Sequence, residues 1–442
     1  MVSWIENTAW WHIYPLGFLG AEKEALNEEG RSFSRLDKLE PWLKYMQELG
    51  CNGLLLAPIF ASQTHGYDTI DHYSIDARLG NDADFERLLE SAKKLGIKIV
   101  LDGVFNHVGR QIAPFEDVRS RKQDSRYANW FHIDWSKTNN EDGFTYRNFE
   151  GHHQLVALNH DNPEVADYVV AVMTYWLRKG IDGWRLDAAY AVPFHFWHKT
   201  ISKIKEEFPQ AWFLGEVIHG DYAQIAKQTA FDSITQYELW KAIWSALNDR
   251  NFFELAHALT RHNQFTEVFL PNVFIGNHDV TRIASQLKNF KHLDLAIAIL
   301  GTVPGIPSIY AGDEQAYTGV KEHRTGGDDD IRTEFPENPS GFLDAGWTTH
   351  DKYQKMLAFR RQNPWLAHAR VNSLLLQNTF FIYEVVADNE QAIIALNCGD
   401  TDATITDSAI LSKLSHCKTL PVLGDIADNW HIKANNVVVW LR

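Results

Sequence analysis

Four short segments place charged and polar residues directly after apolar runs. In chain order they are LDGVFNH (101–107), GWRLDAA (183–189), FLGEV (213–217) and FIGNHD (274–279). Arg185 and Asp187 lie two residues apart, so both side chains project from the same face of a strand. An adjacent guanidinium favours the ionised form of a carboxyl group, and Glu216 supplies a second carboxyl group. Such a pair suits double displacement at a glycosidic carbon, where one group attacks and the other serves as acid and base.

Strand-like and helix-like segments alternate around these motifs. The run CNGLLLAPIF (51–60) is typical of a strand buried on both faces, and the next helix is predicted to end at Gly96. A second helix is predicted to begin at Asn162 and Pro163 and to end at Gly180. Repeated units of this kind predict an α/β fold, a (β/α)₈ TIM barrel with its active groups at the C-terminal strand ends. A doubly wound open sheet is the alternative, disfavoured because neither GxGxxG nor GxxxxGK[ST] follows an early strand.

Two stretches interrupt the alternation. Residues 108–160 are polar and aromatic with little periodicity, which predicts an inserted subdomain after the third strand. From residue 367 the sequence consists of short runs of β-forming residues between polar turns, which predicts a C-terminal β-sandwich. The predicted units are therefore a catalytic barrel, the insertion and the sandwich, at residues 1–107 with 161–366, 108–160 and 367–442.

Composition excludes several classes. The 442 residues carry a formal net charge of −15, which disfavours nucleic acid and anionic membranes as partners. Neither a signal peptide nor an apolar run of about 20 residues is present in the sequence as given. Three cysteines without short spacing argue against a disulfide framework and a zinc site, so we expect a cytoplasmic protein. Sixteen tryptophans slightly favour a carbohydrate ligand, and the oligomeric state is left open between monomer and homodimer.

In their order and spacing, the four segments resemble the conserved regions of the alpha-amylase superfamily of retaining glycoside hydrolases, glycoside hydrolase family 13. The resemblance spans the whole chain. The matching residues are Asp102, Asn106 and His107 in the first segment, Arg185 and Asp187 in the second, Glu216 in the third, and His278 and Asp279 in the fourth.

The resemblance implies catalytic roles for three carboxyl groups. Asp187 would attack the anomeric carbon, and Glu216 would protonate the leaving oxygen and then activate the incoming hydroxyl group. Asp279 would bind sugar hydroxyls and stabilise the oxocarbenium-like transition state. Among the remaining matched residues, Arg185 would keep Asp187 charged, and Asp102, His107 and His278 would belong to the substrate-binding set.

Two further motifs resemble specificity elements of the family. In HGYD, Tyr67 matches a stacking tyrosine, and Asp68 stands where many exo-glucosidases and cyclomaltodextrin-degrading enzymes have aspartate. In GGDDDIR, Asp328 and Arg332 match the family's Asp-x-x-x-Arg pattern. We hypothesise that Asp68 and Arg332 clamp the terminal sugar of a short chain, so unchanged activity of Asp68→Ala on short oligosaccharides would refute the clamp.

The second and third segments resemble most closely the cyclomaltodextrinase, neopullulanase and alpha-glucosidase branch. That branch usually has an additional N-terminal β-domain, whereas few residues precede the first predicted strand here. Its usual Asn-Glu pair is replaced by Tyr190 and Ala191, which puts the acceptor-side specificity in question. Many family members bind calcium through an asparagine matched by Asn106 and an aspartate matched by Ala157. Calcium prefers six to eight oxygen ligands, so we expect no metal there and no required cofactor.

These observations predict a retaining glycosidase for α-glucosidic bonds in short or cyclic malto-oligosaccharides, with α-1,6 cleavage and transglycosylation left open. An endo-acting alpha-amylase on starch or glycogen is the alternative. A non-catalytic carbohydrate-binding protein of the same fold is the rival class, disfavoured because all three carboxyl groups are present. A barrel oxidoreductase is less favoured still, because the sequence contains no cofactor motif.

Overall fold

The structure, a computed structural model, describes residues 4–26, 33–138, 141–324, 326–420 and 430–442. Its strands are β1 (Trp10–Ile13), β2 (Gly53–Leu56), β3 (Phe60–Ser62), β4 (Thr69–Ile75), β5 (Lys98–Gly103), β6 (His107–Gly109), β7 (Ile133–Asp134), β8 (Thr145–Tyr146), β9 (Asn148–Phe149), β10 (His152–Ala157), β11 (Gly183–Leu186), β12 (Trp212–Gly215), β13 (Ser233–Ile234), β14 (Asn272–Phe274), β15 (Ile306–Tyr310), β16 (Arg370–Leu376), β17 (Phe380–Ala387), β18 (Glu390–Asn397), β19 (Ala403–Thr404), β20 (Lys418–Leu420), β21 (His431–Ile432) and β22 (Asn436–Leu441). Its α-helices are α1 (Pro15–Phe18), α2 (Glu40–Leu49), α3 (Asp82–Lys94), α4 (Ala113–Arg121), α5 (Pro163–Lys179), α6 (Phe194–Glu207), α7 (Tyr222–Thr229), α8 (Tyr237–Asp249), α9 (Phe253–Thr266), α10 (Ile283–Gln286), α11 (Leu293–Thr302), α12 (Asp344–Gln362) and α13 (Ser408–Leu414).

A parallel sheet of eight strands forms the barrel. The strands neighbour one another in the order β13, β12, β11, β5, β2, β1, β15 and β14. A parallel bridge between Thr235 and Asn272 joins the first and last of these strands and closes the ring. The predicted (β/α)₈ barrel is confirmed, and the open doubly wound sheet is wrong.

The barrel strands are buried on both faces, as their apolar runs predict. Every residue of β2 and of β11 is buried. The run at 51–60 does not form one strand, however, because β2 ends at Leu56 and β3 begins at Phe60 as half of a hairpin with β4. Pro58 lies between them and has no backbone N–H to donate to a sheet.

The helix ends follow their sequence signals. Asn81 caps α3 with a capping box, and the chain reverses after that helix at Gly96, whose φ is +70°. The side chain of Asn162 caps α5, and Gly180 ends it in the left-handed conformation at φ +113°. Among the helices of the described ranges, none combines the length and apolar character that a membrane span requires.

The chain between β5 and α5 leaves the barrel and returns. It contains α4 and an antiparallel sheet in the order β6, β10, β9. Arg110, which follows β6, donates to both carboxylate oxygens of Asp142 at 2.9 Å. This ion pair joins the end of β6 to the loop between β7 and β8. The strand β10 pairs with β6 so that Ala157 lies opposite His107, which brings the insertion against the barrel rim.

The C-terminal part is all-antiparallel in its sheets. One sheet has the order β16, β17, β18, β22, β20, and β19 pairs with β21 in a second, smaller sheet. One buried cluster joins the two sheets. It contains Ile382, Ile393 and Trp440 from the larger sheet. Ile432 of β21 and Ile405, which follows β19, complete it from the smaller sheet. The predicted β-sandwich is confirmed.

Candidate active site

The four sequence motifs meet at the C-terminal ends of the barrel strands. Asp102 and Arg185 are direct neighbours in the register of β5 and β11. Asp187 and Glu216 follow the ends of β11 and β12, which are adjacent parallel strands. Asp279 lies beyond β14 in the loop that follows that strand. Parallel alignment therefore places four carboxyl groups and one guanidinium at one rim.

Arg185 is the centre of this cluster. Its Nη1 lies 2.5 Å from Asp102 Oδ2 and 3.2 Å from Asp187 Oδ1, and its Nη2 lies 2.6 Å from Glu216 Oε1. Asp279 Oδ2 is 4.0 Å from Nη2. Only 3% of the Arg185 side chain is exposed, so its charge acts in a weakly screened interior. One cation thus orients Asp187 and Glu216 together.

The carboxyl groups differ in their affinity for protons. Burial, reinforced by the charge of Glu216, raises the pKa of Asp187 well above its ordinary value despite Arg185. Burial also acts to raise the pKa of Asp279, but the charges of His278, Arg332 and Arg185 hold it well below its ordinary value. Asp279 is therefore ionised, and it differs from Asp187 in its affinity for a proton. That Arg185 keeps Asp187 charged stays a prediction, and the same guanidinium also contacts Asp102 and Glu216.

Glu216 is held at both carboxyl oxygens. The backbone N–H of Ala188 donates to Oε2 at 2.9 Å, and the hydroxyl of Tyr237 donates to Oε1 at 3.2 Å. Ala188 has a φ of +44°, a left-handed conformation that turns its N–H toward the site immediately after Asp187. Tyr237 is oriented by Asn277, whose Nδ2 donates to the phenol oxygen at 2.8 Å. These bonds leave Glu216 with little rotational freedom.

Aromatic side chains form the floor beside Asp279. The rings of Tyr67 and His278 are parallel, with an angle of 2° between planes and 5.5 Å between centroids. Tyr67 also donates to Asp102 Oδ2 at 3.1 Å, and its hydroxyl contacts His278 Nε2. His278 Nε2 lies 3.0 Å from Asp279 Oδ2. Tyr14 stacks parallel to His278 with 6.1 Å between centroids.

Arg332 closes the site on the side of Asp279. Its Nη2 lies 2.9 Å from Asp279 Oδ1 and 3.2 Å from Asp328 Oδ2. Its Nε donates to the backbone carbonyl of His278 at 3.1 Å, and its guanidinium lies over the ring of Tyr14 at 4.6 Å. Both residues nominated from GGDDDIR are therefore brought to the site.

Asp68 and His107 are both held by neighbouring side chains. Both carboxylate oxygens of Asp68 accept bonds from Thr64, one from its backbone N–H at 3.1 Å and one from its hydroxyl at 2.8 Å. Asp68 is 2% exposed, and the clamp that it would form with Arg332 stays a prediction. His107 stacks on Phe149 with 4.7 Å between centroids, and burial lowers its pKa to about 3, so it is neutral.

Several residues at the rim were not singled out from the sequence as site residues. Tyr237 begins α8 just after β13, and Tyr14 follows β1. Because active-site residues of a barrel follow the C-terminal ends of its strands, both positions could have been nominated from the sequence. Asn277 lies inside the quoted segment FIGNHD. The partnership of Tyr237 with Glu216 has no local sequence signal, since 21 residues separate them.

Asn106 and Ala157 match the family's calcium position, and they lie where β10 returns to pair with β6. Asn106 donates through Nδ2 to His107 Nδ1 at 3.1 Å, and its backbone carbonyl accepts from Leu158 at 3.1 Å. Ala157, 7% exposed, offers only a methyl group. In the described ranges no group of three or more His, Cys, Asp or Glu side chains is arranged to hold a metal ion. Hydrogen bonds and apolar packing join the insertion to the barrel at this point.

We therefore predict that chelation does not destabilise the protein. Thermal unfolding in excess EDTA and in excess calcium should give the same midpoint, because Ala157 stands where a calcium site needs a carboxylate. Calcium that bound the native state would raise that midpoint. Ala157→Asp is the matched variant, since it restores one charged ligand. A midpoint that falls by several degrees in EDTA would contradict this prediction.

The fold and the site together define a (β/α)₈ barrel protein with an acidic, arginine-centred site where barrel enzymes carry their active sites. The family model "Alpha amylase, catalytic domain" matches residues 27–371. The chain belongs to the alpha-amylase family, as the resemblance of its four segments predicts.

Curated relatives identify the branch. The maltogenic alpha-amylase of Bacillus acidopullulyticus is 31% identical over 387 residues, which are 83% of this chain and 64% of that protein. The cyclomaltodextrinase of Geobacillus thermopakistaniensis is 29% identical over 426 residues, 91% of this chain and 71% of that protein. The chain therefore spans about two thirds of the length of these relatives.

Solved structures match over the whole chain. The cyclic alpha-maltosyl-(1→6)-maltose hydrolase of Arthrobacter globiformis superimposes with a TM-score of 0.85 at 25% identity, covering 99% of both chains. The debranching enzyme of Nostoc punctiforme superimposes with a TM-score of 0.82 at 26% identity, covering 100% of this chain and 99% of that one. Both likenesses include the insertion and the C-terminal sheets as well as the barrel.

Proposed function

We propose that this protein is a retaining glycosidase that cleaves α-glucosidic bonds in short or cyclic malto-oligosaccharides. The observation that carries the proposal is the single guanidinium of Arg185, which contacts Asp187 and Glu216 at 3.2 and 2.6 Å. It holds two carboxyl groups from adjacent strands at one point of the rim. Double displacement requires such a pair on either side of the scissile bond.

In the first step Asp187 attacks the anomeric carbon while Glu216 protonates the departing oxygen. This division requires one group to be ionised while the other is protonated, and the Arg185 guanidinium contacts both. The N–H of Ala188 and the hydroxyl of Tyr237 keep Glu216 directed at the leaving group. In the second step Glu216 takes a proton from water, whose oxygen replaces Asp187 at the anomeric carbon.

Asp279 stabilises the positive charge that develops on the sugar ring. It stays ionised beside His278 and Arg332, and 28% of its side chain is exposed, more than for the other two carboxyl groups. Tyr67 supplies an aromatic face beneath the ring, and its hydroxyl bond to Asp102 fixes the orientation of that face. These contacts support a glycone position on the Asp279 side of the rim.

The preference for short or cyclic substrates is supported by the branch to which the relatives belong. They are named maltogenic amylase and cyclomaltodextrinase, and the structural neighbour from Arthrobacter acts on a cyclic maltosyl-maltose. The insertion also covers part of the rim, since Phe149 stacks on His107. We further infer a cytoplasmic enzyme that is a monomer or homodimer, which cell fractionation and light scattering of the purified protein test.

We predict that products distinguish this enzyme from an endo-amylase. Incubation with maltotriose, a cyclodextrin, panose and starch should release glucose and maltose from the first two far faster than reducing ends from starch. Cleavage of panose decides whether α-1,6 bonds are also accepted. Rapid conversion of starch to a mixture of long products would refute the preference for short substrates.

A further inference from the structure

The loop that carries His278 and Asp279 ends at one half of a buried ion pair. It runs from β14 to α10, and Arg282 is its last residue before that helix. The Nη1 atom of Arg282 lies 3.0 Å from Asp313 Oδ1 and donates to the backbone carbonyl of Ala311 at 2.9 Å. Both side chains of the pair are 1% exposed, so the two charges attract each other in a weakly screened interior.

Asp313 also lies against the start of the same loop. It begins the single turn Asp313–Gln315, which follows β15. A Cβ atom added to Gly276 would overlap Asp313 Oδ2, so the carboxylate packs directly on the backbone of that glycine. Asp313 therefore contacts the loop at Gly276 and at Arg282, on both sides of Asp279.

Burial and packing leave Asp313 and Arg282 little freedom to move. The Arg282 guanidinium lies over the ring of Tyr310 at 4.3 Å, which holds it beside β15. Burial raises the pKa of Asp313 to about 6 against the effect of Arg282, so the pair is ionised at neutral pH. Removing either charge would leave the other buried without a counter-charge, which costs stability and favours rearrangement.

The residues between these two contacts reach two of the proposed catalytic carboxyl groups. The Oδ1 atom of Asn277 accepts from the backbone N–H of Asp279 at 2.9 Å. Its Nδ2 donates to the hydroxyl of Tyr237 at 2.8 Å, and that hydroxyl donates to Glu216. A displacement of the loop would therefore move Asp279 directly and Glu216 through Tyr237.

We propose that Arg282 and Asp313 are positioning residues that hold the loop of Asp279 where its carboxylate meets the positive charge developing on the sugar ring. The inference rests on the role of Asp279 in the proposed function. Neither residue of the pair needs to touch the sugar, because each acts through the backbone between Gly276 and Arg282. The charge that Asp279 stabilises develops in the transition state, so loss of the pair should lower kcat more than it raises KM.

Asp313→Asn tests the proposal because it removes the charge and keeps the shape. With α-glucosyl fluoride, kcat should fall on the order of 10²-fold while KM changes less than about threefold, since a misplacement of about 1 Å has a cost of that size. Gly276→Ala leaves every charge in place but forces the loop and Asp313 apart. It should produce a defect of the same kind.

The decisive comparison repeats Asp313→Asn in an Asp279→Asn background. If the ion pair acts through Asp279, the second substitution should lower kcat less than about threefold there, because residues that act as a unit are not additive. A role in overall stability alone would give the same factor in both backgrounds. If Asp313→Asn does not fold, Gly276→Ala takes its place in the comparison.

Asp232→Asn is the matched control. It removes a buried carboxylate that pairs with Lys205 at 2.6 Å just before β13, at the opposite end of the barrel strands, and kcat should not change. An unchanged kcat in Asp313→Asn, or an equal loss with and without Asp279, overturns the inference. If Asp279→Asn itself turns over as fast as the wild type, the proposed function fails instead.

Discussion

Replacing Glu216 with Gln lowers kcat on maltotriose about 10³-fold, because a carboxamide cannot deliver a proton to the leaving oxygen. The change is nearly isosteric and keeps an oxygen that can accept from Ala188 and Tyr237, so stability should change little. A binding protein of the same fold would tolerate the change without loss of sugar affinity.

A substrate with a better leaving group shows whether Glu216→Gln has lost acid catalysis alone or activity in general. With α-glucosyl fluoride, whose departure needs little acid assistance, the first step of Glu216→Gln should recover most of its rate, and azide should accelerate the second. Glu141→Gln is the control, as an exposed acid of the insertion. If Glu216→Gln loses the same factor on maltotriose and on the fluoride, Glu216 is not the acid.

Replacing Arg185 with Met destabilises the fold by about 3–5 kcal/mol and abolishes activity, because it leaves buried carboxyl groups without their cation. Asp102, Asp187 and Glu216 all contact this guanidinium, and each is at least nine-tenths buried. Urea unfolding followed by fluorescence measures the loss. Arg178→Met, which removes an exposed arginine paired with the exposed Glu207, is the control and should change stability little.

The destabilisation of Arg185→Met grows as pH rises from 5 to 8. Burial raises the pKa of Asp102 and of Asp187 even with the arginine present. A carboxyl group with a raised pKa in the folded state stabilises the fold at low pH, and that contribution is lost as pH rises through the folded-state value. Removing the cation raises these values further, so the deficit is larger at pH 8. A deficit independent of pH would show that lost packing, not charge, is responsible.

Most of the site could be predicted from sequence because parallel barrel strands bring their C-terminal ends together. Four strand-end segments were enough to nominate Arg185, Asp187, Glu216 and Asp279, which the structure places in one cluster. The fold could also be predicted, since apolar runs mark the barrel strands and capping residues mark the ends of the helices. The break at Pro58 could have been read from the residue itself, which cannot donate to a sheet.

Contacts between distant segments could not be predicted in the same way. The insertion has little periodicity, so nothing in the sequence shows that Glu150 meets Tyr190. Asp68 illustrates a different limit, because a local partner four residues away, Thr64, takes both of its oxygens. Family resemblance nominated that aspartate for a sugar, while short-range hydrogen bonding decides where its side chain lies.

The site of covalent labelling tests most directly whether Asp187 is the nucleophile. The protein is incubated with 5-fluoro-α-D-glucosyl fluoride, digested and sequenced by mass spectrometry, with Asp187→Asn treated in parallel. We predict a single glycosyl group on Asp187 in the wild type and none in the variant. A label on Asp279 or Glu216, or the release of β-configured products from maltotriose without any label, would contradict it.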